Sequence, residues 1–351
     1  MRKLVKLLVS VFVTVIFSSC NSFMVYHMDV LRPGVFVTSS DKKSVLLVDN
    51  TGIQPPDFGH AVFEYSRYIQ NASFDTEKTS GYLLESVSEN LLKENVYQQI
   101  SISKRQDHDF KKNIDGAYLR SNSLTPALIK KLGDSGDFDL LISLDRLVLH
   151  SKTDVRPYEY MHRATRDIFV NSVWRVYDLG ADTLLAQFQY NDSLFWENFA
   201  PGAKSAAKLL PPMENTLQEI GEYVGEHVSP CFGPFWQSVD RQYFCTGSYR
   251  MTYAADLVRQ NDWECAAVLW QEEFDKGFGR SVYRAAMNMM LYFDFSGNPK
   301  ESLVWGKKAE SVMEKFFSRP TPEDQLFYLN YSRLLQKRLV EVDQLKRYFK
   351  E

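Results

Sequence analysis

A chain of 351 residues is long enough for two domains with cores of their own. With 44% hydrophobic and 24% charged residues it has the make-up of a folded protein, which excludes a disordered chain and a multi-span membrane protein. Its 41 Lys and Arg against 44 Asp and Glu give no basic surplus and no segment carries a basic stripe, which argues against a nucleic-acid partner.

In chain order, Arg2, Lys3 and Lys6 precede an apolar run from Leu7 to Phe17 and the small residues Ser18-Ser19 before Cys20, the layout of a secretory signal. The apolar part is too short to cross a bilayer core of about 30 Å. Phe17-Ser18-Ser19-Cys20 resembles the lipobox of bacterial lipoproteins, with Phe17 where Leu is usual. That resemblance implies removal of residues 1–19, a diacylglyceryl thioether on Cys20 and further acylation, palmitate included. Two or three acyl chains anchor a protein stably where one does not. An ordinary signal peptide cut after Ser18 or Ser19 is the alternative. Asn21 and the stretch Phe23 to Tyr26 show neither the Asp nor the acidic cluster that the resemblance ties to inner-membrane retention or surface export. The expected location is therefore the outer membrane, on its periplasmic side.

Residues 20–43 are expected to form the anchor and a tether, with a first strand or edge segment in it. Ser44 to Asp49, SVLLVD, suits a buried strand. Pro55-Pro56 and Gly59 mark a loop, with one short helix expected around Ala61 to Ile69. Thr76 to Glu94 has helical spacing, with Thr76 as N-cap, and Val96 to Ile102 alternates as a strand. Lys104 to Asn122 reads as an exposed polar loop. Thr125 to Leu132, with Pro126 in the first turn, is a helix ended by Gly133. Phe138 to His150, FDLLISLDRLVLH, is apolar enough to be central to a sheet. Asp167 to Tyr177 and Thr183 to Phe195 read as a hairpin, with a bulge where the alternation loses phase, and Ala203 to His227 as a helix stopped by Pro230. Residues 44–228 thus predict an α+β domain, a mixed sheet with helices.

Residues 229–248 are expected to form a joint in which Phe232, Phe235, Trp236 and Tyr243 crowd together. Packing between domains is the plain reading and a ligand cage the sharper one. From Tyr249 the spacing is helical, predicting helices at Tyr249–Gln260, Asp262–Lys276, Arg280–Phe295, Pro299–Phe316, Pro322–Gln336 and about Leu339–Phe349. Trp263-x-x-Ala266-Ala267 superposes on Pro299-x-x-Ser302-Leu303 at an offset of about 36 residues, near the tetratricopeptide period of 34. Residues 249–351 therefore resemble that repeat family in part, through Trp263, Ala266, Ala267, Trp270, Gly297, Pro299 and Ala309. Taken whole, the signal with Cys20, the α+β domain, the joint with Trp236 and Arg241 and the helical end resemble an uncharacterised family of Bacteroidota lipoproteins. The resemblance implies location and architecture, and no activity.

With Cys20 assigned to lipid, Cys231, Cys245 and Cys265 remain. Cys231 and Cys245 are the pair available for a disulfide in an oxidising envelope, and Cys265 reads as a small buried apolar helix residue. No phosphate-binding Gly loop, H-E-x-x-H or G-x-S-x-G is present. His227, four residues before Cys231, is the one candidate for a Cys/His nucleophile or zinc site, but Pro230 breaks the register between them. Asp139 and Asp145 read as strand-end polar residues. These patterns predict a non-enzymatic, lipid-anchored interaction or assembly module, without cofactor or metal, whose partner is an envelope protein or peptide. The alternatives are a glycan or small-molecule binder using Phe232, Phe235, Trp236, Tyr243, Trp263 and Trp270, and an envelope hydrolase of unrecognised type.

Overall fold

The computed structural model describes residues 22–35, 41–104, 116–121, 123–316 and 322–349. The signal sequence, Cys20 and most of the expected loop 104–122 lie outside these residues. The chain divides into two units, one of residues 33–235 with 345–351, the other of 1–32 with 236–344. The first is α+β and the second, apart from a two-stranded ribbon, is all-helical. The first strand, β1 (Phe23–Arg32), belongs to the helical unit.

In the α+β unit, β2 (Ser44–Asp49) lies between β5 (Gln99–Ser103) and the 19-residue β6 (Leu140–Tyr158), parallel to both. A strand between parallel neighbours with both faces covered must be apolar throughout, and Val45, Leu47 and Val48 are fully buried. The length of β6 lets it serve two partners on one edge: β2 along Leu140–Leu144, then β3 (His60–Glu64), also parallel, along Ser151–Val155. Between them the Gln54 side chain stands in for a strand. Its Nε2 donates to the Leu149 carbonyl at 2.8 Å and its Oε1 accepts from the Leu149 N–H at 2.9 Å. The other edge of β6 pairs antiparallel with β7 (Met161–Asp178), and β7 with β8 (Thr183–Ala200). Helices α1 (Thr79–Lys93), α3 (Ala203–Lys208) and α4 (Met213–Val228) cover one face. Helix α2 (Pro126–Gly133) covers part of the other, over Leu46, Val48 and Leu141.

Three expectations are corrected here. Ala61 to Ile69 is no helix. It is β3 turning into β4 (Arg67–Asn71) through Tyr65 and Ser66, both at positive φ, the twist that a two-residue hairpin demands. The helix expected from Ala203 to His227 is two, because Pro211-Pro212 interrupts it. The N-cap position of α1 is Lys78, without a side-chain cap; Thr76 contributes its carbonyl to the Thr79 N–H at 3.1 Å. Thr125 does cap α2, accepting from the Leu128 N–H at 3.3 Å.

In the helical unit, β1 pairs with β9 (Phe235–Phe244). Residues 23–32 are therefore the strand expected within 20–43, starting earlier than a preceding tether allows, and half of the expected joint 229–248 is an ordered strand. Helices α5 (Tyr249–Arg259), α6 (Trp263–Lys276), α7 (Arg280–Phe295) and α8 (Pro299–Phe316) begin and end within a residue of their expected bounds. The last two expected helices are one 28-residue helix, α9 (Pro322–Phe349). Ala266 and Ser302, at matching places in α6 and α8, are both fully buried, and the Ser302 hydroxyl donates to the Met290 carbonyl at 2.5 Å. Asn288, in α7, clamps the end of β9: it accepts from the Phe244 N–H at 2.8 Å and donates to the Phe244 carbonyl at 2.7 Å.

Candidate functional site

Polar side chains gather where the parallel strands of the α+β unit end. From β2 the chain runs through α1 to β5 on one side, then through α2 to β6 on the other. The carboxyl end of β2, opposite Leu144 in the first third of β6, is therefore a point where connections diverge, the place where open α/β sheets leave a crevice.

Asp49 closes β2 and is 6% exposed. Its Oδ1 accepts from the Thr51 N–H at 3.0 Å and the Thr51 hydroxyl at 2.7 Å, and its Oδ2 from the Ser80 hydroxyl, in the first turn of α1, at 2.6 Å. Asp145 sits where the β6–β7 register slips between Leu144 and Arg146. As the extra residue of this bulge it leaves the strand alternation, and its side chain turns into the interior. There Oδ1 accepts from Asn50 Nδ2 at 2.7 Å and Ser143 Oγ at 2.5 Å, and Oδ2 pairs with the Arg175 guanidinium. Burial pushes the Asp145 carboxyl up, against these three partners, which favour the charged form. Arg175 Nε continues the chain to Gln187 Oε1 on β8 at 2.9 Å. Asp139, by contrast, is a strand-end residue as expected: burial pushes it up, but the N–H groups of Lys43 and Ser44 hold it below the usual carboxylate range.

Next to this cluster a groove follows α1. Its first hollow, about 380 Å³, lies at the start of α1 and is bordered by Asp49, Ser80, Tyr82 and Lys104. A second, about 320 Å³, lies on the other side of Lys78 and Tyr82 and reaches Glu214. A third, about 630 Å³, continues between α1 and α4 to Leu194 of β8 and is walled by Glu85, Glu89, Glu219, Glu222 and Glu226, with Lys93 the one cation among the described residues that line it. Tyr82 borders all three. Beyond it, α1 and α4 touch through glycine. A Cβ on Gly225 would lie 2.6 Å from the Leu83 carbonyl oxygen and from Ser86 Cβ, and the Ser86 hydroxyl donates to the Glu222 carbonyl at 2.7 Å.

Strand β8 bounds this side of the sheet. Over 18 residues it pairs only with β7 among the described residues, and its side chains alternate between exposed and half-buried. Phe195 is 50% exposed, diagonal to Phe169 of β7 at 52%, and Phe199, 38% exposed, packs its ring 5.4 Å from that of Tyr158.

The residues singled out in the sequence do not converge. Phe232 is fully buried in the α+β core, with Trp174 at 5.1 Å and Phe188 at 5.6 Å between ring centroids. Tyr243, Trp263 and Trp270 are core of the helical unit, none more than 4% exposed. Phe235 is half-buried, and Trp236 alone is open, at 59%. Four of the six thus offer no surface to a ligand.

Cys231 and Cys245 are not bridged to each other, so the disulfide expected between them is absent. The ten-residue β9 separates them in the chain, and an extended strand of that length spans about 30 Å, far beyond the ~5.5 Å Cα separation of a bridge. Burial pushes the Cys231 thiol up to about 11, so it is protonated and a poor nucleophile at neutral pH. His227 Nδ1 bonds the Tyr223 carbonyl of its own helix at 2.8 Å. Cys265 is exposed, where a buried residue was expected. Among the described residues no group of His, Cys, Asp and Glu is arranged to hold a metal, and no helix is long and apolar enough to cross a membrane.

Comparison with known proteins places this architecture as follows. The family model described as a domain of unknown function, DUF8603, matches residues 42–244, and a second domain of unknown function, DUF6340, matches residues 252–337. No curated protein matches the chain. Among solved structures it is similar to the PelC dodecamer of Paraburkholderia phytofirmans, at 10% identity and a TM-score of 0.26 over 59% of this chain and 97% of that one. It is also similar to lipoprotein GNA1162 of Neisseria meningitidis, at 14% identity and a TM-score of 0.19 over 51% and 97%.

Proposed function

Since the chain belongs to the DUF8603 family, whose description assigns no activity, we propose from its own geometry that it is a non-enzymatic docking protein, held by lipid on Cys20 at the periplasmic side of the outer membrane. Its partner is another envelope protein, which adds an extended segment to the free edge of β8. The helical unit, with its repeat-like α5–α8, serves as a second interaction module.

The observation that carries this reading is the edge of β8. An exposed strand edge is a row of N–H and C=O groups ready for another strand, and soluble proteins blunt such edges with Pro, Lys or a short length. Residues 183–200 contain neither Pro nor Lys and run for 18 residues, about 60 Å of backbone. Strand addition supplies affinity through the main chain and specificity through alternate side chains. On β8 the exposed Leu185, Phe195 and Phe199 supply that second part.

The test is photo-crosslinking in intact cells from a benzoylphenylalanine placed at Gln187 or Asn191. One discrete adduct from both positions is expected. Adducts absent at both, with the protein present at its normal level, overturn the reading. Metabolic labelling with palmitate, lost in Cys20→Ala, tests the anchor separately.

A further inference from the structure

The groove beside β8 specifies the chemistry of the segment that pairs with it. We propose that this segment is rich in Lys and Arg, its backbone extending the sheet at β8 while its cations enter the hollow between α1 and α4; the inference rests on the strand-addition reading above.

Charge on both sides of the edge carries the argument. Residues 183–200 contain Asp192 and Glu197 and no Lys or Arg. The adjoining hollow, about 630 Å³ and reaching Leu194 of β8, sets Glu85, Glu89, Glu219, Glu222 and Glu226 against Lys93 alone. None of these five carboxylates forms an ion pair with Lys or Arg among the described residues. Glu219 accepts from Trp196 Nε1 at 3.1 Å, and Glu222 from Gln218 Nε2 at 2.8 Å, both neutral donors. Like charges on one wall repel at short range, and a cationic segment removes that repulsion as it docks. In the neighbouring hollow, bordered also by Lys78 and Glu214, Thr79 is 2% exposed and its hydroxyl has no hydrogen-bond partner among the described residues, a buried polar group left to be satisfied. The same charges disfavour a second copy of this chain, whose β8 would bring an equally acidic α4 wall alongside. Complementary charge of this kind sets partner choice and association rate.

The probe is a twelve-residue peptide, (Lys-Val-Thr-Val)₃, titrated into the full chain in detergent at 50 and 300 mM NaCl, with (Gln-Val-Thr-Val)₃ as the uncharged control. The lysine peptide is expected to bind at least tenfold more tightly than the control, to weaken at least tenfold at the higher salt, and to slow hydrogen exchange within residues 183–200. The double variant E222K/E226K, both exposed on α4, is expected to lose this preference while keeping its melting temperature. Equal binding of both peptides with the same protection of residues 183–200 overturns the charge assignment and leaves strand addition standing. Binding that protects no part of 183–200 overturns both. A dimer by sedimentation that persists at 300 mM NaCl and competes with the peptide overturns the basic-segment proposal in favour of self-pairing.

Discussion

Arg175 and Asp145 are 8% and 1% exposed, so neither has water to fall back on if the other is removed. Arg175→Met leaves a buried charge without its ion partner, and such losses cost about 3–5 kcal/mol. Urea unfolding at pH 7 should show a drop of that order. The double variant R175M/D145L should recover most of it, since an apolar pair replaces the whole interaction rather than half of it. His60 supplies a prediction in pH. It is 1% exposed, with Nδ1 2.9 Å from the Ser151 hydroxyl and Nε2 without a hydrogen-bond partner among the described residues. Burial, and then the neighbouring His150, pull it down from 6.5 to about 4. Between those values the unfolded chain binds the proton and the folded chain does not, so stability falls as pH drops from 6.5 towards 4 and is complete above 6.5. Denaturation midpoints at pH 7.5, 6 and 5 should decline, and His60→Gln should flatten that decline. Asp145 shows what a sequence hides at this scale. In LLISLDRLVLH it looks like a polar residue at a strand end, and only the bulge, which periodicity cannot register, turns it inward.

At the scale of elements, two glycines of the α1–α4 layer make opposite predictions. Gly225 has no room for a methyl group, which would meet Leu83 O and Ser86 Cβ at 2.6 Å, so Gly225→Ala should destabilise by about 1–3 kcal/mol through overpacking. Gly81, inside α1, has nothing within 4 Å of a Cβ. Gly81→Ala should therefore stabilise by about 0.4–1 kcal/mol, because alanine gives up less backbone freedom. Thermal melts of the two variants, read side by side, check both signs. Elements whose cue was local were readable in the sequence. The continuous apolar run of β6, the β7–β8 hairpin with Asp182 at positive φ in its turn, and α7 between Gly279 and Ser296 follow from residues within a few positions. Those settled by distant partners were not. β9 reads as an aromatic knot until β1, more than 200 residues earlier, lies against it. β3 and β4 turn on Tyr65 and Ser66, where Gly or Asn would have announced the hairpin. The break in α9 expected after Gln336 has no Gly or Pro to cause it, and the helix runs on. Of the groove the sequence shows only Glu222 and Glu226 on one helix face, which reads as a solvated face, because the facing acids Glu85 and Glu89 come from a helix more than 100 residues away.

For the whole molecule the consequence lies in how the chain is threaded. Residues 33–235 sit between the first strand and the rest of the helical unit, so the helical unit cannot be completed without the N-terminal segment. β1 gives that core Met28 and Val30, 7% and 2% exposed. Phe23 packs against Phe244 at 4.5 Å and Tyr26 against the edge of Trp263 at 4.7 Å. Arg32 pairs with Glu341 at 2.5 Å, and Arg338 donates to the Leu31 carbonyl. If Cys20 carries the lipid, Asn21 and Ser22 are the whole link between the membrane and an ordered strand, too short for the loose tether that composition suggests. A chain beginning at residue 36 should therefore keep the α+β sheet and lose the helical unit's stability. Deleting β1 strips the partner strand from β9 and uncovers Phe244 and Trp263, side chains whose burial is each worth about 1.5–3 kcal/mol. Hydrogen exchange by mass spectrometry reads the two units separately. Peptides from 249–316 should lose protection by orders of magnitude, while those from 140–178 stay as slow as in the full chain. Equal loss in both regions would show that folding of the α+β unit also depends on β1.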